Sequence, residues 1–297
     1  MLKRVFLVLL AIVLAVPPNI AAAGPALVFE PYNGTVFYAE DPDVPWFPAS
    51  LTKLMTAYIA FADLRAGRVT METKIPCSEH AAEQAPSKLG LPVGGELTLE
   101  VALKVVLVKS ANDVAVMIAE ALGGGSEQAF VVRMNAAAQH LGMTHTHFAN
   151  VNGLPNENQV TTARDLARLS RAIILQFPEH ADLFKLRYVK VNGKLLRSHN
   201  GLLTDFEGAD GMKTGFICDS GFNIVASATR DDRRLVAVVL GEVSVPARRA
   251  RTKELLENGF KRYFWKSLFG TTIDGLAMET ALSDRPAHLR AQICGSG

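Results

Sequence analysis

Cysteine is scarce in this sequence, which has only Cys77, Cys218 and Cys294 among 297 residues. Three cysteines allow at most one disulfide within a monomer, and the sequence does not select the partners. The positive and negative charges are also nearly balanced. The formal net charge is +2 and there is no basic run, which argues against a nucleic-acid-binding protein. No internal repeat or low-complexity linker is present, and 49% hydrophobic with 20% charged residues is the composition of an ordinary globular protein.

Long apolar runs are missing too, except at the N-terminus. Lys3 and Arg4 precede an unbroken apolar segment at residues 5–16, and alanines follow at 21–23. This pattern predicts a signal peptide, residues 1–23, that is cleaved on export. The run is shorter than the ~20 residues of a transmembrane helix, and an uncleaved N-terminal anchor is the alternative. No later run is long enough to span a bilayer.

The rest of the pattern predicts one domain at residues 24–266, with strands at both ends and helices in the middle. Strand-like stretches flank a turn at 31–34 and return from about Tyr188 onward. Residues 67–180 instead show helical periodicity. This order predicts a single sheet built from both ends of the chain, with a helical subdomain inserted. The longer predicted helices are 99–108, 113–122, 126–141, 162–175 and 247–264.

A serine and a lysine lie one turn apart at the start of the first predicted helix, which runs from Ser50 to about Arg65 and ends at Gly67. Residues i and i+3 share a helix face, so the Lys53 ammonium should lie beside the Ser50 hydroxyl. The helix N-terminus favours a serine alkoxide, and burial would lower the pKa of Lys53 toward the neutral amine that a general base requires. The pair therefore predicts a nucleophile with its base. The simpler interpretation is an N-cap serine followed by a surface lysine.

Two further motifs favour the catalytic interpretation. Ser110-Ala111-Asn112 falls in the break between two predicted helices, and Lys213-Thr214-Gly215 falls on a predicted strand. Ser-x-x-Lys, a Ser-x-Asn type motif and Lys-Thr-Gly form the signature of penicillin-binding proteins and serine β-lactamases. Ser198-His199-Asn200 also fits the second motif. Ser110 is preferred because it falls between the other two motifs and at a helix break.

The residues around these motifs resemble the D-alanyl-D-alanine carboxypeptidases, the low-molecular-mass penicillin-binding proteins. The resemblance implies an α/β (α+β) fold of the β-lactamase/transpeptidase type, in which helices flank an antiparallel sheet and an all-helical subdomain is inserted. It also implies that neither a metal nor an organic cofactor is needed. The match covers roughly residues 26–264 and includes the stretches 47–57, 110–113, 146–154, 199–203, 210–216 and 221–227.

The resemblance also implies a role for each residue of the first two motifs. Ser50 would attack the carbonyl of the penultimate D-alanine, and Lys53 would accept its proton. Ser110 would relay a proton to the departing amine, and Asn112 would hold the substrate amide.

The third motif would bind the end of the substrate. Lys213 and Thr214 would receive the terminal carboxylate, and Gly215 would let the substrate lie along the strand. Backbone N–H groups of Ser50 and Phe216 would hold the oxyanion. The implied partners are the peptidoglycan pentapeptide stem and β-lactam antibiotics, which would acylate Ser50 covalently. The expected location is the periplasm.

Some features depart from the family. Residues 217–220 differ from the commoner family sequences, which leaves the substrate preference open. Many members continue into a second, all-β domain and a C-terminal amphipathic helix. Residues 267–297 are expected to be a short tail without either, and 284–290 show no broad apolar face, which leaves membrane attachment in doubt. The alternative functions are a peptidoglycan endopeptidase, a β-lactamase, or a catalytically silent peptidoglycan-binding protein.

Overall fold

The computed structural model describes residues 24–278, 283 and 285–295. Within them the strands are β1 Ala26–Phe29, β2 Val36–Glu40, β3 Lys74–Pro76, β4 Glu96–Thr98, β5 Tyr188–Val191, β6 Lys194–Arg197, β7 Ala209–Ile217, β8 Gly221–Arg230 and β9 Arg233–Glu242. The helices are α1 Lys53–Arg65, α2 Glu79–Glu83, α3 Leu99–Val108, α4 Asn112–Leu122, α5 Glu127–His140, α6 Ala163–Gln176, α7 Ala181–Phe184, α8 Leu202–Asp205, α9 Val245–Lys261, α10 Tyr263–Phe269 and α11 Arg290–Ile293.

A five-stranded sheet joins the two ends of the domain, in the order β2-β1-β9-β8-β7, and every neighbouring pair is antiparallel. Successive side chains point to opposite faces. On β9, Val236 and Val238 join the core shared with the helical subdomain, whereas Leu235 and Ala237 join a second core with Leu256 of α9. The predicted sheet from both chain ends is confirmed, and burial on both faces explains why β9 is almost uniformly apolar.

The inserted helical subdomain lies in the chain between β2 and β7, as predicted, but this part of the chain is not all-helical, because β3 pairs with β4 and β5 pairs with β6. Its central helix is α4, whose residues Val114 to Ala119 are fully buried among α1, α2, α3 and α5. Because α4 is enclosed on all sides, its N-terminal end is fixed in position relative to α1. The motif Ser110-Ala111-Asn112 is at that end.

Two predicted helix boundaries were wrong. The first helix begins with a 3-10 turn, Ala49–Thr52, so that Ser50 lies on the turn and α1 starts only at Lys53. The predicted helix 247–264 is in fact two helices, α9 and α10, separated at Arg262. The break lets the ring of Tyr263 pack 5.3 Å from that of Phe37 on β2, a contact between distant parts of the chain that no local pattern predicts.

After α10 the chain returns to the domain. Val36 donates its N–H to the carbonyl of Thr271 at 2.7 Å. Buried Arg164 forms a two-pronged ion pair with Asp43, at 2.7 Å for each contact, and also donates to the carbonyl of Ile273 at 2.7 Å. The predicted signal peptide, residues 1–23, lies outside the described residues. None of the helices that are described has the length and apolar character needed to cross a membrane.

Candidate active site

The nucleophile candidate Ser50 is held on the 3-10 turn at the start of α1. The preceding residue, Ala49, has a left-handed φ of 48°, a conformation that costs about 1–3 kcal/mol and is retained mostly at functional sites. Asn223 on β8 fixes this turn to the sheet. Its buried amide donates to the carbonyl of Phe47 at 3.0 Å and accepts the N–H of Gly241 at 2.9 Å.

Lys53 is fully buried beside Ser50. Its Nζ lies 3.1 Å from Ser50 Oγ and 2.7 Å from Asn112 Oδ1, and it also donates to the carbonyl of Asn152. Burial, and then the charge of Lys213, hold the pKa of Lys53 well below its ordinary value. A neutral amine can donate to Asn112 and Asn152 and still turn its lone pair to the Ser50 hydroxyl. Lys53 is therefore arranged to accept a proton from Ser50.

The second motif meets the first at the N-terminal end of α4. Ser110 has a left-handed φ of 63° and is nearly buried. Asn112 donates from Nδ2 to the carbonyl of Ala85 at 2.8 Å, which fixes the orientation of its amide and turns Oδ1 toward Lys53. Asn112 thus orients the base, a role that the sequence did not reveal.

Lys213 on β7 connects the third motif to the second. Its Nζ donates to Ser110 Oγ at 2.9 Å and to the carbonyl of Thr214 at 2.8 Å. Burial, together with the charge of Arg248, lowers the pKa of Lys213 to about 7. The Lys213 ammonium and the Ser110 hydroxyl therefore form one hydrogen-bonded unit.

Arg248 on α9 adds a second buried cation. Burial lowers the pKa of Arg248 to about 10, so the guanidinium is still charged at neutral pH. Its Nη atoms reach the carbonyls of Asn223 and His199 only at 3.4 Å, and its Nε has no hydrogen-bond partner among the described residues. Within the same residues neither Lys213 nor Arg248 is paired with a carboxylate. Two buried cations without a protein anion favour binding of an anionic ligand group.

These groups surround one cleft of about 440 Å³. Lys53 and Lys213 lie behind its wall, and the other predicted site residues line it. No set of three or more His, Cys, Asp or Glu side chains in the described part of the chain is placed to hold a metal ion. The lining residues are Ser50, Pro86, Ser87, Ser110, Asn112, Gly153, Leu154, His199, Thr214, Gly215, Phe216, Ile217, Phe222, Val245 and Arg248.

Two glycines let neighbouring backbone close on the Ser50 turn. A Cβ on Gly215 would lie 3.0 Å from the carbonyl oxygen of Pro48, and a Cβ on Gly153, whose φ is 85°, would overlap the carbonyl of Ala49. Gly215 therefore brings β7 close to the nucleophile, and Gly153 does the same for the loop that supplies the Asn152 carbonyl. Neither contact could be expected from the order of residues along the chain.

The comparison with known proteins agrees with this geometry. A family model described as D-alanyl-D-alanine carboxypeptidase matches residues 13–244. The chain belongs to this family.

Relatives and solved structures of D-alanyl-D-alanine carboxypeptidases and penicillin-binding proteins support the assignment. The chain is 34% identical over 238 residues to D-alanyl-D-alanine carboxypeptidase DacA of Escherichia coli, an alignment that covers 77% of this chain and 59% of DacA. The structure of penicillin binding protein 5 from Haemophilus influenzae matches with a TM-score of 0.78 and 33% identity, over 80% of this chain and 71% of that one. Penicillin-binding protein D2 from Listeria monocytogenes, in its cefotaxime-bound form, matches with a TM-score of 0.73 and 30% identity, over 80% and 97%. The fold predicted for this family is confirmed, although the chain spans only about three fifths of the length of DacA.

The family motif Ser-x-Asn has two matches in the sequence, and the structure places only the serine of the first in the cleft. Ser110 Oγ binds Lys213, whereas Ser198 Oγ accepts the N–H of Asn200 at 3.2 Å in a local turn. We expect Ser110→Ala to slow acylation by benzylpenicillin roughly 10²-fold, because the resemblance to the family implies that Ser110 relays a proton. Ser198→Ala should react at the parental rate. Stopped-flow acylation rates of both variants test this, and equal rates for the two would contradict the assignment.

A disulfide ties the C-terminal segment to the end of β7. Cys218 is bonded to Cys294, and Cys77 is buried and unpaired, which selects one of the pairings that the sequence left open. Asp219 strengthens the attachment by pairing with Arg290 at 2.6 Å and accepting from His288 at 3.2 Å. The segment thus packs outside the turn between β7 and β8, next to the cleft.

Removing this disulfide should cost little stability. If the segment stayed fixed in the folded protein, opening a loop of this length would lower the free energy of unfolding by about 4–5 kcal/mol, because the unfolded chain gains entropy. The bond holds only a short and mostly exposed segment, however, which we expect to detach while the domain stays folded. Cys218→Ser, Cys294→Ser and the double variant should therefore show the same small decrease in Tm by calorimetry. A large decrease shared by all three variants would show that the segment is part of the cooperative fold.

Proposed function

We propose that this protein is a serine-type D-Ala-D-Ala carboxypeptidase that removes the terminal D-alanine from peptidoglycan pentapeptides. The observation that carries the proposal is the pair formed by the buried Lys53 amine and Ser50 Oγ, 3.1 Å apart, at a cleft that is lined by the unpaired Arg248 cation. The second unpaired cation, Lys213, lies behind the wall and is hydrogen-bonded to the lining residue Ser110. Lys53 and Ser50 supply a base and a nucleophile, and the two cations suit a substrate that ends in a carboxylate. Export through the signal peptide at residues 1–23, and a periplasmic location, are parts of the same proposal.

Acylation begins when Ser50 Oγ attacks the carbonyl carbon of the penultimate D-alanine. Lys53 takes the serine proton, and the backbone N–H groups of Ser50 and Phe216 stabilise the oxyanion. The first N–H groups of a helical turn have no acceptor within the turn. The N–H of Ser50 is therefore available to the oxyanion. Collapse of the tetrahedral intermediate breaks the peptide C–N bond. Ser110, hydrogen-bonded to Lys213, relays the proton that Lys53 took to the departing nitrogen, and D-alanine leaves with Lys53 neutral again.

The terminal carboxylate is bound by Lys213, Thr214 and Arg248. Lys213 donates two of its protons to Ser110 and Thr214, which leaves the third for the ligand. Asn112 uses one N–H for Ala85 and has a second for the substrate amide. Because two cations meet at this point, peptides with an amidated C-terminus should bind poorly.

Water then attacks the carbonyl carbon of the Ser50 ester and gives a proton to Lys53, which passes it to the Ser50 oxygen as the ester C–O bond breaks and completes the turnover. A β-lactam would acylate the same oxygen by opening its ring. Its leaving nitrogen stays tethered to the acyl group, and slow hydrolysis then keeps the enzyme blocked. The cefotaxime-bound form of the Listeria protein supports this expectation for a chain of the same family.

The proposal is tested by two measurements on the protein from Gly24 onward. Release of the terminal alanine is followed with a pentapeptide that ends in D-Ala-D-Ala and with a matched peptide that ends in L-alanine. Intact mass is followed in time after benzylpenicillin is added, and the modified peptide is located by digestion. We expect release from the first peptide only, and a lasting adduct on Ser50.

Each other outcome rejects the proposal in a different way. An adduct that disappears within seconds, without D-alanine release, would identify a β-lactamase. Cleavage of cross-linked peptides in place of pentapeptides would identify an endopeptidase. The absence of both adduct and release would identify a silent binding protein.

A further inference from the structure

The short helix α10 has an exposed apolar face at the sheet edge opposite the cleft. Phe264, Trp265, Leu268 and Phe269 are 63%, 67%, 59% and 80% exposed. Their spacing of i, i+1, i+4 and i+5 places them on one side of the helix. Single exposed apolar residues are common, but a group of large ones marks an interaction surface.

The other side of α10 is fixed to the domain. The Tyr263 ring packs 5.3 Å from that of Phe37 on β2, and the Arg233 guanidinium lies 5.3 Å above Tyr263. Directly after the helix, Val36 of β2 donates to the carbonyl of Thr271 at 2.7 Å. The exposed rings therefore belong to a helix anchored at both ends.

Along the chain, the charged residues nearest to this face have one sign. Residues 258–273 contain Lys261, Arg262 and Lys266 but no aspartate or glutamate. Among the described residues, none of the three forms an ion pair with a carboxylate. Aromatic rings beside unpaired cations suit the bilayer interface, where tryptophan is enriched and anionic headgroups attract lysine and arginine.

We propose that the apolar face of α10 docks the protein on the surface of a bilayer that contains anionic phospholipid. This goes beyond the proposed function, since it concerns a surface remote from the cleft. The strand order puts β2 at one edge of the sheet and β7 at the other. Strands ~4.8 Å apart separate the docked edge from the cleft by on the order of 20 Å. A docked molecule would thus hold its cleft away from the lipid.

Tryptophan fluorescence with vesicles tests the proposal on the protein from Gly24 onward, so that the apolar N-terminal run does not itself bind lipid. Trp46 is buried and donates to the carbonyl of Ser220 at 3.0 Å, and therefore Trp265 supplies the change in emission. We expect the Trp265 emission to shift to the blue with vesicles of phosphatidylglycerol and phosphatidylcholine, and to shift less with phosphatidylcholine alone. Added salt should make the first shift smaller.

Variants locate the contact. Phe264→Ser with Phe269→Ser keeps the reporter and should lower the partition coefficient at least about tenfold. Lys266→Glu should lower it about fivefold or more, because it removes one cation near the surface and adds an anion. Val132→Ser on α5 is the matched control. Val132 is 62% exposed and lies far from the face along the chain, so this substitution should leave the partition coefficient unchanged.

Three outcomes would overturn the proposal. One is no binding to either vesicle, and another is parental binding by the double variant. The third is a parent protein that is a dimer by light scattering and does not bind lipid, together with a double variant that is a monomer. That result would make the face a contact between two copies of the chain. Benzylpenicillin acylation should be equal in all variants, and this readout separates failure of the docking proposal from failure of the catalytic one.

Discussion

The Ser50→Ala variant should form no penicilloyl adduct and release no detectable D-alanine. In serine hydrolases whose catalytic groups act as a unit, loss of the nucleophile lowers kcat by about 10⁶-fold. The Ser50 hydroxyl is hydrogen-bonded to Lys53, so the substitution removes the reacting oxygen and leaves Lys213, Thr214 and Arg248 in place. Non-covalent binding of the pentapeptide should therefore persist, which isothermal titration calorimetry can measure.

Ser87→Ala is the control for this experiment. Ser87 lines the same cleft, but its hydroxyl donates to the carbonyl of Lys109 at 3.1 Å, whereas Lys53 bonds to Ser50, Asn112 and Asn152. The same chemical change at this position should leave the adduct and turnover close to parental. Turnover by Ser50→Ala at the parental rate, or an adduct on another residue, would refute the nucleophile assignment.

The features predicted correctly from the sequence are those that depend on neighbours along the chain. Helix α3 has the predicted limits and strand β5 begins at the predicted Tyr188, because apolar periodicity and flanking turns specify both. Ser50 and Lys53 meet because they are three residues apart in one continuous helical segment. The broad architecture could also be predicted, since the order of strands and helices allows few arrangements.

The features that were missed depend on packing between distant segments. Arg248 enters the cleft because α9 packs across β8, and no motif surrounds it in the sequence. Asn152 acts through its backbone carbonyl, which every residue possesses, so its side chain carries no signal of this role. Gly215 was expected in the site, but its contact with the Ser50 turn was not, and neither was that of Gly153, because glycine is also common in loops and strands that make no such contact.

Lys53→Gln should lower the rate of acylation by about 10²–10⁴-fold, the usual contribution of a general base. Glutamine keeps a donor for the oxygen atoms of Asn112 and Asn152 but cannot accept a proton from Ser50. Thermal melting by circular dichroism checks that the variant is folded. A loss of less than tenfold in a folded variant would mean that another group accepts the proton.

The pH profile of kcat/KM should separate the two buried lysines. The rate must rise with pH as Lys53 loses its proton, and this limb lies below the range of an ordinary lysine because burial and Lys213 lower the pKa of Lys53. It should fall as Lys213 loses the charge that we propose binds the carboxylate, at a pKa of about 7 in the free enzyme. Lys53→Gln should lack the rise and keep the fall. Lys213→Gln should lack the fall, and its rise should move to higher pH because a positive neighbour of Lys53 is gone. An unchanged rising limb in Lys53→Gln would assign that limb to a different group and remove Lys53 from the mechanism.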